Sequence, residues 1–422
     1  MKKDLVYLID NRHIAPIKAR HALVERFVAR IKCKAKIKYN FDYKAYKGKQ
    51  ILVVADHATR LSFLGAVKAL KYHKLNFVTG YHNFFTSGLF KQMIKYGCVP
   101  KYLYQPDLRC TKDILKLVKM GANIALYIEG IQSTSGSTHP INPATMKLIK
   151  KIGLPVILVS SRGSYLSMPR FSLNLRKGPE EYIVSEVAPA DEVKALSEEE
   201  LYLRLLDSFK YNDFRWNEEK GYHYKSKLPL AYGLEKIIYH CPKCGKDFGI
   251  HIEGEEIVCE CGNKVRVTDT YALEKVNEDT ILPYTSIDEW FKDQRRLIQE
   301  EIKDESLEYS FDVEMYDLYT DKIRKDPFHL LGTGKMTINK DGIKYDGTIN
   351  NEQKEMFFSI EGLPSAPFTP GEGIDIYYDN NYYCTHILDE PLKSVKYMLL
   401  IEEWHNLRDP KWKKASEDVY ND

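Results

Sequence analysis

Two groups of side chains in this 422-residue sequence have types and spacing that chemistry could use. The first is His57, which follows the apolar run Ile51-Leu-Val-Val-Ala-Asp56 and leads into Ala-Thr-Arg60-Leu-Ser62. A polar ring at the end of such a run, read as a strand, stands where open α/β sheets put their chemistry. The second is Cys241-Pro-Lys-Cys244-Gly245 with Cys259-Glu-Cys261-Gly262. Four thiolates on two glycine-supported turns suit a tetrahedral structural zinc, and a short isolated segment needs such a staple. Its second half is one residue shorter than the usual Cys-x-x-Cys. With four protein ligands the site has no open position, so no catalysis is expected there.

The elements that must hold these groups follow from periodicity. Four consecutive aliphatic residues before His57 predict a strand buried on both faces, which puts the ring at the mouth of a sheet. Further strands are expected at 75–79, 99–104, 123–128 and 155–160, with helices near 60–73, 86–96, 111–120 and 143–152. Such alternation predicts an α/β domain, a mainly parallel sheet with flanking helices, over residues 1–225. Two more strands are expected at 171–176 and 181–187, and Ser197-Glu-Glu-Glu200 forms a capping box opening a helix. A zinc ribbon is expected at 236–272 and a helical linker at 280–325. Glycine-punctuated alternating runs then predict a small β-barrel-like domain at 326–410, closed by an amphipathic helix from 392 to 405. Tyr377, Tyr378, Tyr382 and Tyr383 read as barrel packing, and Gly332-Thr-Gly334 as a turn.

Composition narrows the function classes. Apolar residues make up 44% and charged residues 29%, as in a folded soluble protein, and the net charge of +3 is too small to argue for nucleic acid. Glu253, Glu255, Glu256 and Glu260 would repel phosphate from the ribbon, so no nucleic-acid partner is expected. The bases instead concentrate between Arg12 and Lys49, which suggests an anionic partner such as a membrane surface. Arg30 to Lys38 alternates at period two and reads as a strand with a cationic face, either a protected edge or a lipid contact. No run reaches the roughly 18 apolar residues of a spanning helix, and Met1-Lys2-Lys3-Asp4 does not lead into a signal core. The expected location is cytoplasmic, peripheral on the inner face of the cell membrane.

From His57 to Val159 the sequence resembles the glycerolipid acyltransferase family, in which His-x4-Asp follows a strand, Glu-Gly-Thr-Arg follows another, and a Val-Pro-Val-type strand comes later. The counterparts are His57 to Ser62, Glu129-Gly130-Ile131-Gln132 and Leu154-Pro155-Val156-Ile157. Gly97-Cys-Val-Pro100-Lys101 resembles the second block, Gly121 stands where a glycine precedes the Glu-Gly strand, and Ser135-Gly136 resembles the residues after the third block. Joined to a zinc ribbon, the layout is similar to a bacterial branch of acylglycerol-phosphate acyltransferases. The C-terminal strands and helix look like a pleckstrin-homology-like barrel.

The resemblance implies an O-acyltransferase that moves a fatty acyl group from acyl-CoA or acyl carrier protein to a lysophospholipid or acylglycerol phosphate. His57 would be the base and the Glu129–Gly130 turn the lip of the acceptor site. Ser62 stands where the family has aspartate and Gln132 where it has arginine. Asp56 is the nearest substitute carboxylate, and Arg60, Lys101, Arg109 or Arg162 could supply the missing cation. Two other readings stay open, a lipid-binding member that has lost catalysis and a zinc-ribbon scaffold that binds protein or nucleic acid.

Overall fold

The computed structural model describes residues 5–10 and 12–420, so the Met1–Asp4 start lies outside the described residues. Seven strands form the first sheet: β1 (Lys36–Tyr39), β2 (Leu52–Ala55), β3 (Leu75–Gly80), β4 (Val99–Lys101), β5 (Asn123–Tyr127), β6 (Val156–Arg162) and β7 (Glu181–Ala188). Their order is β1-β7-β6-β2-β5-β3-β4. Neighbours from β6 through β4 are parallel, whereas β7 runs antiparallel to β6 and carries β1 parallel to itself. β2 is buried at every position between β5 and β6, as its unbroken aliphatic run requires. One apolar cluster covers each face of this sheet.

Several expectations need correction. Residues 30–32 end the helix Ala19–Lys32, so the basic strand at 30–38 shrinks to β1, an edge strand whose Lys38 pairs with Glu181 at 2.7 Å. The helical signal was upstream: Leu23, Phe27 and Ile31 recur at i, i+4, i+8, and that spacing outweighs a short alternation. The expected strand at 171–176 is a turn with Leu173 at φ +51° and belongs to no sheet strand. The helix expected at 86–96 is interrupted at Ser87–Leu89.

Downstream, β8 (Ile250–Glu253), β9 (Glu256–Cys259), β10 (Lys264–Val267) and β11 (Leu273–Lys275) form an antiparallel sheet bearing the cysteines. After the helix Ile287–Glu301, the third sheet begins at once with β12 (Glu308–Leu318), inside what the alternation assigned to a helical linker. It continues through β13 (Phe328–Asn339), β14 (Gly342–Ile349), β15 (Glu352–Ser359), β16 (Phe368–Thr369), β17 (Gly373–Tyr378) and β18 (Asn381–Ile387). The order is β15-β14-β13-β12-β18-β17-β16, antiparallel throughout.

The closing helix Ser394–Arg408 is buried from Ser394 to Asn406 rather than amphipathic, because the third sheet covers one side and the helices Ile287–Glu301 and Pro410–Tyr420 cover others. One continuous core joins Tyr165, Phe171 and Phe214 of the first domain to ribbon residues Ile257 and Val265 and to Trp404. The modules are therefore stitched together across the boundaries that sequence suggested. Among the described residues no helix is long and apolar enough to cross a membrane.

Candidate active site and metal centre

β2 and β5 end side by side, which brings His57 beside the turn carrying Glu129. The Glu129 carboxylate is a clasp: Oε2 accepts from the His57 backbone N–H and Oε1 from the His139 N–H, both at 2.7 Å. The His57 carbonyl in turn accepts from Ser133 N–H at 3.0 Å. Burial, then the charge of Asp56, pushes the Glu129 carboxyl up to about 8, against the pull of those N–H donors. Both Glu129 oxygens thus hold the loops around the site. Gly130 turns the chain at φ +78°, where a Cβ would be strained and would stand 4.0 Å from the Tyr104 ring.

The His57 ring packs on Tyr127 with centroids 5.0 Å apart. It lies deep among protein atoms yet keeps part of its surface accessible. Its Nδ1 is buried with no hydrogen-bond partner. Burial pushes the ring down to about 4, with the Thr59 backbone opposing and Arg170 adding to the shift. The imidazole is therefore neutral at physiological pH, and burial disfavours its protonated form.

The relay expected behind it is not assembled. Ser62 is buried at the start of the helix Ser62–Ala69, where its Oγ accepts from Thr59 N–H at 3.0 Å and closes the turn. The Asp56 side chain crosses to the end of β6, accepting from Ser161 N–H at 2.5 Å, Ser161 Oγ at 2.9 Å and Ser160 Oγ at 3.1 Å. Adjacent strand residues face opposite sides of a sheet, so Asp56 and His57 part company. Burial raises the Asp56 pKa despite these donors.

Most of the expected cations are also committed elsewhere. Arg109 holds the N-terminal helix Leu5–Asp10 through the Asp10 carboxylate at 2.5 Å and two carbonyls. Lys101 donates to the Tyr102 and Gln105 carbonyls, and Arg162 to Ser160 Oγ and Ser161 O at 2.6 Å. Arg60 is exposed and, among the described residues, has no ion pair.

What the sequence did not reveal is Arg170, from the loop after β6. Its Nη1 donates to the Gln132 carbonyl at 3.0 Å and its Nη2 to the Phe368 carbonyl at 2.5 Å. No carboxylate among the described residues pairs with it, and burial lowers its pKa while Asp375 opposes most. Gln132 thus serves the site through its carbonyl, seating an arginine from elsewhere. Two more orphaned hydroxyls, Tyr104 and Tyr127, are buried nearby. Unpaired buried polar atoms are rare in native folds, and several around one imidazole and one guanidinium mark a site that a polar ligand can complete.

The four cysteines do converge. Their sulfurs all lie within 4.8 Å of one another, a group that could hold a metal ion. Cys241 to Cys261 is 3.7 Å and Cys244 to Cys259 is 3.8 Å. A tetrahedron with metal–sulfur bonds of about 2.3 Å has edges of about 3.8 Å, so the donor set fits zinc. The chain reverses after each pair at Gly245 (φ +71°) and Gly262 (φ +84°), whose N–H groups donate to Cys241 O and Cys259 O.

No family model matches the chain, and no curated protein matches it. Among solved structures, the 1-acyl-sn-glycerophosphate (LPA) acyltransferase PlsC from Thermotoga maritima is similar at 17% identity with a TM-score of 0.35, covering 47% of this chain and 75% of that one.

Proposed function

We propose that the α/β domain transfers an acyl group from acyl-CoA or acyl carrier protein to the hydroxyl of a lysophospholipid or acylglycerol phosphate. The observation that carries this reading is the neutral His57 ring with an unpartnered Nδ1 at the end of the central strand, beside Arg170. His57 takes the hydroxyl proton as the oxygen attacks the thioester carbonyl, the carbon–sulfur bond breaks, and the imidazolium returns its proton to the departing thiolate. Arg170 and exposed Arg60 supply positive charge for an acceptor phosphate. No carboxylate steadies the imidazolium, and in an analogous triad that loss costs about 10⁴ in rate.

A lipid-binding chain without catalysis is the second reading, favoured by the commitment of Ser62 to its turn. An acyl-transfer assay over a panel of lysolipids separates the two. Turnover by the native chain is expected to fall by about 10² or more in His57→Ala. Equal turnover in both proteins would reject His57 as base, whereas turnover appearing only in Ser62→Asp would favour the second reading.

The zinc reading makes the four-cysteine group a structural site. The membrane contact moves from the basic strand to the helix Ala19–Lys32. Its inner face buries Ala22, Glu25 and Ala29, while Leu23 (62% exposed) and Phe27 (65%) project outward with Val24, Val28 and Ile31. Arg20, Arg30 and Lys32 flank that stripe, the pattern of a helix lying in an anionic membrane interface. Replacing Leu23 and Phe27 together by glutamine is expected to weaken binding to phosphatidylglycerol-containing vesicles by about tenfold or more. An unchanged partition would remove the membrane, and with it a location on its inner face, from the proposal.

A further inference from the structure

Parallel α/β sheets place their chemistry at the carboxyl ends of the strands. Here part of that edge is covered by another sheet of the same chain. β17 and β18 are joined by Asp379 (φ +48°) and Asn380 (φ +61°), with Tyr378 opposite Asn381. Two positive-φ residues make a type I′ turn, whose twist matches that of the strands and keeps the hairpin stiff. Side chains alternate along it. Tyr378 and Tyr383 pack on Phe358 inside the third sheet, with ring centroids 5.4 and 5.8 Å away. Tyr377 and Tyr382 face the other way, onto the first domain.

Their landing place is the edge that carries His57. Tyr377 OH lies 3.1 Å from His82 Nδ1, just after β3, and Tyr382 stacks on the same imidazole at 5.2 Å and 19°. The Tyr377 ring stands 6.2 Å from that of Tyr104, itself against Gly130. At the tip, Asn380 N–H donates to Gln105 Oε1 at 2.7 Å. At the base, the Phe368 carbonyl and ring hold Arg170. His57, His82, Tyr104 and Tyr382 are each deep in the protein while retaining some accessible surface.

We propose that the β17–β18 hairpin is a strap over the strand-end edge that carries His57, seated on His82, Tyr104 and Gln105, and that a ligand reaches His57 when the strap lifts. The inference goes beyond the acyl-transfer reading, because it concerns access to the imidazole whatever reaction follows. The contacts are suited to the task. They include one tip hydrogen bond, the Tyr382–His82 stack, the Tyr377 hydroxyl and ring against His82, the Tyr377–Tyr104 ring contact and the packing of Tyr382 on the first domain's apolar cluster, and the hairpin's own ladder to β12 need not break for them to part. Local segments can open at lower cost than the global fold.

Carbethoxylation by diethyl pyrocarbonate, read residue by residue from peptide masses, tests this on the full chain. Unprotonated imidazoles react in proportion to their access, and exposed His223 serves as an internal standard. Tyr377→Ala with Tyr382→Ala is expected to speed modification of both His57 and His82 by about tenfold. Gln105→Ala, which removes only the tip acceptor, should speed both by a smaller factor and leave the melting temperature unchanged. Unchanged His57 rates in both proteins would overturn the strap, as would acceleration confined to His82. Loss of acyl-transfer activity has no bearing on these rates, so failure of the functional reading would be seen separately.

Discussion

Stripping the metal from the four-cysteine group is expected to unfold Cys241–Val267 and to loosen the helix Ile287–Glu301 with it. Structural zinc supplies about 10–16 kcal/mol of apparent folding free energy in isolated zinc-finger peptides. Apart from Ile250, Ile257, Val265 and Val267, which pack into the shared core, the ribbon has little of its own, since its four strands are short and Cys244 and Cys261 are exposed. The effect should travel because the segment entering the ribbon is tied to that helix by buried polar bonds. Gln294 Oε1 accepts from Tyr239 and His240 N–H at 2.6 and 3.0 Å, its Nε2 donates to Ile237 O, and Trp290 Nε1 donates to His240 O. If the ribbon melts, those buried groups lose partners at about 1–3 kcal/mol each. Purified protein should contain about one zinc per chain, Cys244→Ser should lower that content, and a strong chelator should speed amide exchange across 241–267 and 287–301. A chelated protein with unchanged exchange and melting temperature would show that the cysteines carry no metal of structural consequence.

The parts of the molecule legible in sequence were those specified by neighbouring residues. β2, β5 and β6 announce themselves because burial on both faces demands unbroken apolar runs, and the cysteine pairs because a metal needs ligands at fixed spacing. Ser197 and Glu200 form the predicted capping box. The candidate site was legible only as far as its strand ends. Position 62 looked like a relay because it sits five residues after His57, but at a helix start a serine satisfies the turn first. Arg170, Tyr377 and Asp375 carry no local signature, since they come to this strand-end edge through tertiary packing, from a loop and from a distant sheet. The tyrosine alternation Tyr377-Tyr378 was read as packing, and one of each pair does pack within the sheet; that the other faces His82 depends on how two domains dock. The closing helix Ser394–Arg408 was misjudged for the same reason, because burial all round is decided by what surrounds it.

Removing Arg295 is the change expected to destabilise the domain junction most after metal loss, and its signature is a reversed pH dependence. The Arg295 guanidinium, 2% exposed, pairs with Glu402 Oε2 at 2.5 Å and Glu403 Oε1 at 2.6 Å and lies 4.2 Å over the Tyr420 ring. Burial alone would raise the Glu402 carboxyl, but Arg295 overcomes it and, with His139 at 3.5 Å and Ser365 Oγ donating at 2.6 Å, holds it at about 2. A carboxyl depressed from 4.5 to about 2 contributes stability that is present above pH 4.5 and is lost as pH falls toward 2, about 3 kcal/mol in all. In Arg295→Leu the buried Glu402 and Glu403 carboxylates lose the guanidinium they share, at a cost of about 3–5 kcal/mol near pH 7. Without the arginine, burial should raise the Glu402 carboxyl above the ordinary range, so the variant should recover stability as pH falls from 7 to 5, where the native protein shows no such gain from this cluster. Urea midpoints at pH 5 and 7 read the difference directly. A variant whose deficit is the same at both values would mean that the lost stability is packing against Tyr420 rather than charge. Adding Glu402→Gln to Arg295→Leu distinguishes the two further, since removing one carboxylate should restore part of the pH 7 deficit only if unpaired charge caused it.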